Sequence, residues 1–269
     1  MARLPVRGAG VRELGLTLPP ARMPLLRAGR PLKRWRYVGV YGPELMLCVG
    51  VAHVAGIAQR WWAVALPDGT LHERTGGRGV AVSPGRASVR QAAATIELEL
   101  DEGPAVEVAS AHGQSWIWTA KQAGVPVRGQ VRIGDRRWPV DGEAFVDESA
   151  GYHARHTTWR WSAGMGRAEG GERVGWNFVE GVHDAPVGSE RTVWIDGEPR
   201  EVEPVAFAAD LSRVGGLEFT EWSTREDHTN RVLFRSDYLQ PFGSFTGELP
   251  GGLRLAEGYG VMEWHDVRW

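Results

Sequence analysis

The sequence predicts an all-β protein built from two tandem β-barrels, or two strongly curved antiparallel sheets, that pack together. Three observations point to this fold class. The chain of 269 residues repeats one pattern twice, its extended segments are short and bounded by turns, and no long window shows sustained helical periodicity. With 36 glycines and 16 prolines, it is rich in the residues that interrupt helices and form tight turns.

The internal repeat is visible in three matched features. A segment led by tryptophan opens each copy, an Asp-Gly turn follows a further tryptophan, and a strand ending on an acid closes each copy. The matched segments are 35–37 with 159–161, 61–69 with 194–197, and 142–147 with 258–263. Because copies of one β unit place equivalent side chains at equivalent positions, we expect a functional site at or between matched positions.

Turn signals divide the chain into short strands. Ile96, Leu98 and Leu100 alternate with acidic residues, which is the two-residue period of a half-buried strand. Many short strands at spacings of roughly 8 to 12 residues are typical of a sandwich or a barrel. We therefore predict a basic N-terminal arm at residues 1–34 and two β domains at residues 35–157 and 158–269.

Composition argues against several classes of protein. A formal net charge of -2 gives no support for a nucleic-acid partner, and the basic-aromatic stretch 33–37 is too short to change that. The longest apolar run, residues 45–58, is interrupted by glycines and is shorter than the roughly 20 residues of a membrane helix. The single cysteine, Cys48, cannot form an internal disulfide. We predict a cytoplasmic protein without a membrane span, of undetermined oligomeric state.

The densest polar stretch, residues 147–161, falls at the junction of the two copies. Its candidate catalytic residues are Asp147, Glu148, His153 and His156, with Arg155 predicted to orient the acids. Three interpretations compete: acid–base catalysis, a metal site, and a structural role in which the charged groups only stabilise the contact between the domains. The metal interpretation is the weakest, because zinc motifs usually show a second compact ligand pair, and no metal is predicted.

Further candidates lie on strands that carry aromatic side chains. Trp159 and Trp161 are two residues apart and share a face, so they form either one wall of a ligand pocket or a layer of a filled barrel. Glu180 would share a face with Trp176, and such desolvation favours the proton-donating form of an acid. The residues predicted to contact a ligand are Arg155, Trp159, Trp161, Trp176, Asn177, Glu180, Glu263 and His265.

Motifs for nucleotide chemistry and for a hydrolase nucleophile are missing from the sequence. The chain has no glycine-rich phosphate loop before a helix, and no Gly-x-Ser-x-Gly pattern. We therefore predict no cofactor.

Several segments resemble a known protein family. They are Glu143–Gly164, Gly175–Asn177, Trp194–Gly197 and Glu263–Trp269, and they look like the bacterial family named domain of unknown function 2804. More distantly, the layout is similar to the lipocalin-like double barrels of the AttH and carotenoid hydratase superfamily, which implies two lipocalin-like β domains. In that superfamily the first unit closes on a strand with an Asp-His pair, whereas here Glu148 follows Asp147.

The hypothesis for function is a cofactor-independent acid–base enzyme of hydratase, isomerase or cyclase type. It would act on a hydrophobic small molecule held in a β-barrel cavity. One alternative is a binder or carrier of such a molecule without catalysis, and another is a structural or interaction protein with filled barrels. Cavity volume tests the last alternative, because ligand pockets are typically larger than roughly 300 Å³.

Overall fold

The computed structural model describes residues 4–231 and 234–269, and antiparallel strands make up most of it. The strands are β1 (Val6–Arg7), β2 (Leu26–Arg27), β3 (Arg30–Pro31), β4 (Lys33–Tyr41), β5 (Met46–Val54), β6 (Ile57–Ala65), β7 (Leu71–Thr75), β8 (Val80–Ser83), β9 (Arg86–Gln91), β10 (Ala94–Leu100), β11 (Val106–His112), β12 (Ser115–Ile133), β13 (Arg136–Gly151), β14 (His156–Ala168), β15 (Arg173–Glu180), β16 (Thr192–Ile195), β17 (Glu198–Glu201), β18 (Arg213–Val214), β19 (Gly216–Arg231), β20 (Phe234–Glu248) and β21 (Arg254–Arg268). A short 3₁₀ helix covers Gly8–Leu14. Within the described ranges, no helix has the length and apolar character needed to cross a membrane.

The strands form two large curved sheets, one from each half of the chain. Neighbours in the first sheet follow the order β7-β6-β5-β4-β13-β12-β10-β9-β8, and β11 pairs with both β12 and β1. Neighbours in the second sheet follow the order β17-β16-β15-β14-β21-β20-β19-β18, while β2 and β3 form a small ribbon. The prediction of an all-β fold with two packed, curved antiparallel sheets is confirmed.

The internal repeat corresponds to equivalent strands at the centre of each sheet. In the first sheet β4 lies between β5 and β13, and in the second β14 lies between β15 and β21. The registers also match, because Asp147 pairs with Tyr37 and Glu263 pairs with Trp161. The two acids therefore occupy equivalent positions.

Each sheet encloses an apolar core of its own, and a third core lies where the two sheets meet. Trp62 is part of the first core and Trp176 of the second. At the interface between the sheets, which we call the seam, Phe145 of the first sheet packs edge-on against Trp161 and Trp194 of the second.

The central strands are buried on both faces, because one face packs in the core of its own sheet and the other packs at the seam. Along β4, Val38 and Val40 face the core of the first sheet, whereas Tyr37 and Tyr41 face the seam. This is the alternation expected of a strand, with apolar residues on both sides. Any polar side chain that points into the seam from these strands is thereby removed from water.

The segment before β4 lies on the body of the protein. Val11 of the 3₁₀ helix packs with Trp116 and Tyr152 of the first sheet, and β1 pairs with β11. The Arg7 guanidinium also reaches the second half of the chain, where it donates hydrogen bonds to the Ser189 carbonyl (2.6 Å) and the Thr192 hydroxyl (2.9 Å).

The packing of Trp176 against β14 gives a first testable prediction. A Cβ atom at Gly164 would lie 2.1 Å from the ring of Trp176, whereas a Cβ atom at Gly142 would meet nothing within 4 Å. We expect Gly164→Ala to lower the free energy of unfolding by about 1–3 kcal/mol, because overpacking displaces a fully buried ring. Gly142→Ala is the control and should change it by less than about 0.5 kcal/mol. Urea denaturation measures both, and equal effects would contradict this packing.

Candidate functional site

A cavity of about 140 Å³ lies at the seam. Its walls come from β4, β5, β6, β12 and β13 of the first sheet, from β14, β15, β19, β20 and β21 of the second, and from the loop between β15 and β16. The cavity thus lies between the two curved sheets, which corrects the expectation of a ligand site inside one barrel. The reason is that apolar side chains already fill the interior of each sheet.

Two tryptophan–carboxyl pairs line this cavity at equivalent positions of the repeat. The Trp35 indole donates a hydrogen bond to Asp147 (Nε1–Oδ2, 3.0 Å), and the Trp159 indole donates one to Glu263 (Nε1–Oε1, 2.8 Å). The two indole rings are nearly parallel, with an interplanar angle of 4° and centroids 6.4 Å apart. The repeat therefore brings both acids to one cavity.

The carboxyl group of Asp147 is paired with a buried cation. Lys121 lies directly opposite Asp147 in the ladder between β12 and β13, and its ammonium is 2.6 Å from Oδ1. Glu190, from the loop before β16, is 3.4 Å from the same ammonium. Burial alone would lower the pKa of Lys121, but Asp147 and Glu190 outweigh it and raise that pKa. Lys121 therefore stays protonated and compensates the negative charge of Asp147.

The surroundings of Glu263 are different, although its position is equivalent. Its carboxyl accepts hydrogen bonds from the Tyr238 hydroxyl (2.8 Å) and the Gln240 amide (3.0 Å), and among the described residues no lysine or arginine forms a salt bridge with it. Burial raises the pKa of Glu263, and the charge of Asp147 adds to that effect against the opposing hydrogen bonds from Trp159 and Tyr238. Of the two acids, Glu263 is the one whose surroundings favour the protonated carboxyl group.

Three histidines also line the cavity: His153 and His183 are buried and His265 is half-buried, and desolvation disfavours the charged form of each. Desolvation lowers the pKa of His183 to about 3 and of His265 to about 3, and it holds the pKa of His153 well below its usual range. His265 packs edge-on against Trp159 with a centroid distance of 4.4 Å, and its Nε2 is 2.8 Å from the Ser236 hydroxyl. All three side chains are neutral near pH 7.

The structure brings half of the predicted site residues together. Those that line the cavity are Asp147, His153, Trp159, Trp161, Glu263 and His265. Asn177 stands behind the wall, where it accepts a hydrogen bond from the Trp161 indole (2.7 Å) and donates one to the Glu190 carbonyl (2.9 Å).

Three predicted residues of the junction stretch lie outside the cavity. Glu148 points to the opposite face of β13 from Asp147 and pairs with Arg36 (2.6 Å), because successive residues of a strand alternate. His156 lies at the start of β14, is exposed and pairs with Asp266 (2.9 Å). Arg155 is exposed and does not orient the acids. Since His153 is buried and His156 is not, the two do not form a metal site.

Two predicted residues on β15 also lie outside the cavity. Trp176 is buried in the core of the second sheet, where its indole donates a hydrogen bond to the Ser162 hydroxyl (3.1 Å). Glu180 is exposed at the end of the strand and lies 3.7 Å from Arg160, so it is not desolvated. Among the described residues, no group of three or more potential metal ligands occurs.

Several cavity residues were not predicted from the sequence. The repeat itself could have indicated Trp35 and Tyr37, since they match Trp159 and Trp161. The others lie on strands or loops without a distinctive local pattern, and they are Lys121, His183, Glu190, Arg225 and Tyr238. Only the strand register and the path of the loop before β16 bring them to the seam.

Comparisons with known proteins agree with this architecture. The family model for DUF2804, a domain of unknown function, matches residues 70–269. Among solved structures, kievitone hydratase from Nectria haematococca has a TM-score of 0.52 at 11% identity, covering 88% of this chain and 89% of that one. An AttH-like protein from Nitrosomonas europaea has a TM-score of 0.49 at 13% identity, covering 93% and 98%. No curated protein matches the chain. At such identities, a structural likeness shows the fold alone.

The buried ion pair yields a prediction for stability. Lys121→Met leaves Asp147 and Glu190 buried without their cation, and we expect it to lower the free energy of unfolding by about 3–5 kcal/mol. Arg128→Met is the control, because Arg128 pairs with Asp141 at 3.5 Å in full contact with solvent, and exposed pairs contribute at most about 1 kcal/mol. Urea denaturation at pH 7 measures both variants. A loss for Lys121→Met no larger than that of the control would show that the pair is not buried.

Lys33 yields a prediction for pH dependence. Among the described residues, its buried ammonium has no carboxylate partner: it donates a hydrogen bond to the His153 carbonyl (3.0 Å) and lies 4.8 Å from the centre of the Trp269 ring. Burial, with a smaller effect of Arg30, lowers the pKa of Lys33 from 10.5 to about 8. Between these values the unfolded chain binds more protons at Lys33 than the folded protein, so this residue makes stability rise with pH in that window.

We therefore expect Lys33→Met to stabilise the protein at pH 7, where the wild type buries a charge, and to stabilise it less at pH 10. Denaturation of both proteins at the two pH values gives the comparison. A difference between variant and wild type that does not change with pH would contradict the lowered pKa.

Proposed function

The chain belongs to the DUF2804 family, and we propose that it is a cofactor-independent enzyme that transfers protons to and from a small unsaturated molecule, as a hydratase, isomerase or cyclase. The observation that carries this proposal is the pair of equivalent acids in unlike surroundings. Asp147 is paired with Lys121 at 2.6 Å, whereas Glu263 is held by neutral donors. Environments that separate two titratable groups in this way assign an acid and a base.

Glu263 is the proton donor in this proposal, whereas the sequence analysis placed it among the ligand-contacting residues and named Asp147, Glu148, His153 and His156 as the catalytic candidates. Its raised pKa lies closer to neutral pH, where general acids are most effective. The Tyr238 hydroxyl donates a hydrogen bond to Oε2 (2.8 Å) and holds the carboxyl in place. Burial raises the pKa of Tyr238 well above its usual range, so the phenol itself stays protonated.

The proton would be added to a carbon–carbon double bond. The π electrons form the new C–H bond, and the positive charge is left on the neighbouring carbon. Loss of a proton from an adjacent carbon to Asp147 gives an isomer, and attack by water, whose proton goes to Asp147, gives an alcohol. Attack by another double bond of the ligand closes a ring and moves the positive charge to a new carbon, and loss of a proton beside that carbon to Asp147 gives the cyclic product. On each route, the proton that the ligand or the water loses goes to the protein, so the reaction needs no cofactor.

The walls of the cavity suit such a cationic intermediate. The rings of Trp35, Trp159 and Trp161 line it, and aromatic faces attract positive charge. The two cations of the cavity, Lys121 and Arg225, are each compensated by an acid, the latter by Glu73 at 3.1 Å. Among the described lining residues, positive charge on the ligand therefore meets no uncompensated cation, although the ammonium of Lys33 lies behind His153 and Trp269.

The size of the cavity restricts the ligand. Its volume of about 140 Å³ is below the roughly 300 Å³ typical of ligand pockets, so the volume criterion favours the alternative of a structural or interaction protein with filled barrels. A cavity of about 150 Å³ can nevertheless bind benzene. We infer a ligand with one six-membered ring or about the same number of atoms at the seam. A binder without catalysis would use the same cavity, so only a measurement of turnover distinguishes an enzyme from a binder.

Glu263→Gln tests the proposal. The first step is native mass spectrometry of the protein from its own host, followed by extraction and identification of the bound molecule. That compound is then incubated with the wild type and with the variant in heavy water. We expect the wild type to place deuterium on a carbon of the product, and Glu263→Gln to lower the rate by at least about 100-fold, because the general acid is lost.

Glu180→Gln is the matched control, since Glu180 is exposed and outside the cavity. Its rate should equal that of the wild type. Undiminished turnover by Glu263→Gln would contradict the assignment of Glu263 as the general acid. Recovery of the extracted compound unchanged and without deuterium would identify the protein as a binder.

A further inference from the structure

Three exposed apolar side chains lie on neighbouring segments of the first half of the chain. Within the described ranges, four large apolar side chains are more than half exposed, and three of them are Leu25, Leu26 and Ile57, at 55%, 64% and 78%. Backbone hydrogen bonds connect their segments, because the Leu32 amide donates to the Leu25 carbonyl (2.8 Å) and the Ala55 amide donates to the Leu32 carbonyl (2.9 Å). Single exposed apolar side chains are normal on a protein surface, whereas a group of them marks an interaction site. We call the three side chains the apolar patch.

Two tight hairpin turns carry the apolar patch. Residues 28–29 connect β2 to β3, residues 55–56 connect β5 to β6, and all four residues have a positive φ. This is the backbone of the two-residue turns that join paired strands most closely. Leu26 lies two residues before the first turn, and Ile57 directly follows the second. The patch is therefore carried by the ends of two narrow hairpins.

The patch lies beside the mouth of the cavity. Of the described side chains that line the cavity, Gln59 is the exposed one, so the cavity opens there. Gln59 and Ile57 are two residues apart on β6 and share a face of the strand. Their partners across the ladder, Ala52 and Val54, line the cavity as well. Ile57 thus lies just outside the mouth, on the face that leads into the cavity.

The surface around the patch is basic. No acidic residue occurs in residues 14–43 or 45–67, which include strands β2 to β6. Arg27 and Arg34 are exposed in these segments, and among the described residues neither forms a salt bridge. The charges of these two side chains are therefore available to an anionic partner.

The second sheet adds exposed arginines on the other side of the mouth. The Trp269 amide donates a hydrogen bond to the Arg155 carbonyl (2.8 Å), and the Trp269 ring lines the cavity and lies against Lys33 at the start of β4. Arg155 and Arg268 are both exposed. Exposed arginines therefore occur on both sides of the mouth.

The acids at this end of the second sheet do not cancel that charge. Three of them lie next to a basic side chain at 2.8–3.5 Å. They are Glu226, Asp237 and Asp266, with His228, Arg235 and His156 as their partners. Asp227 is half-buried and faces the cavity.

We propose that this end of the protein binds the surface of an anionic lipid bilayer. The side chains of the apolar patch enter the headgroup layer, and the exposed arginines contact lipid phosphates. Burial of apolar side chains and attraction of basic side chains to anionic lipids are the two contributions that hold a protein at a membrane surface. A nucleic acid uses the arginines but leaves three aliphatic side chains in water. The mouth of the cavity then faces the bilayer, where apolar molecules dissolve.

Sedimentation with sucrose-loaded vesicles tests the proposal. The protein is mixed either with vesicles of phosphatidylcholine alone or with vesicles in which about 30% of the lipid is phosphatidylglycerol. We expect the partition coefficient to be at least about 10-fold higher for the anionic vesicles, because each arginine near an anionic surface contributes roughly 5-fold. Raising the salt from about 0.1 M to about 1 M should remove most of this difference, because it shortens the Debye length from about 10 Å to about 3 Å.

Two variants with matched controls locate the contact. Ile57→Ser should lower partition onto anionic vesicles by about 10-fold, because a large apolar side chain no longer leaves water. Val187→Ser is its control, since Val187 is equally exposed (77%) but lies in the loop before β16.

Arg34→Gln should lower the same partition by about 5-fold. Arg128→Gln is its control. Arg128 is exposed and pairs with Asp141, which lies ten residues before Gly151 on β13, and Gly151 is the partner of Lys33. Ten residues of a strand span about 33 Å, so Arg128 is far from the patch. Both control variants should bind vesicles like the wild type.

Three results would overturn the proposal: equal partition onto anionic and neutral vesicles, no sedimentation with either, or wild-type partition of both Ile57→Ser and Arg34→Gln. Binding of double-stranded DNA that depends on Arg34, without binding of vesicles, would assign the surface to a nucleic acid instead. Glu263→Gln should bind vesicles like the wild type, because Glu263 lines the cavity and is buried. The bilayer surface and the acid assignment can therefore fail independently of each other.

Discussion

Transfer of a carboxyl group from water to an apolar interface is unfavourable unless its charge is compensated or removed, and this constraint shapes the seam. Strands β13 and β21 are central in their sheets, so the side chains of Asp147 and Glu263 that point to the seam are largely removed from water. The protein meets the constraint in two ways. A lysine neutralises the first acid, and a raised pKa favours the neutral form of the second. Equivalent positions thereby acquire different chemistry.

The fold was predictable because it rests on features that a sequence displays. The repeat of 35–37 and 159–161 marks the central strands, and turn signals mark their ends. Alternation along β13 also predicts that Asp147 and Glu148 face opposite ways, which is what the structure shows. The equivalence of Asp147 and Glu263 followed from the same repeat, so both acids could be named.

The partners of those acids could not be predicted, because they depend on long-range register. Lys121 faces Asp147 only because β12 and β13 pair with a shift between Gln122 and Val125. His183 reaches the cavity from a loop without a local signature. His156 illustrates the opposite error: it is close to His153 in sequence, but β14 begins at His156 and carries it to the surface. Nearness in sequence was mistaken there for nearness in space.

The central claim is that the surroundings of Glu263 favour the protonated form of its carboxyl group. Carbon-13 NMR of protein labelled at its glutamate carboxyl groups tests this most directly, with the Glu263 signal assigned by its loss in Glu263→Gln. The claim predicts a titration midpoint for Glu263 above the ordinary value of 4.5. A midpoint at or below that value would mean that its hydrogen bonds outweigh its burial, and the seam would then hold two carboxylates and no acid.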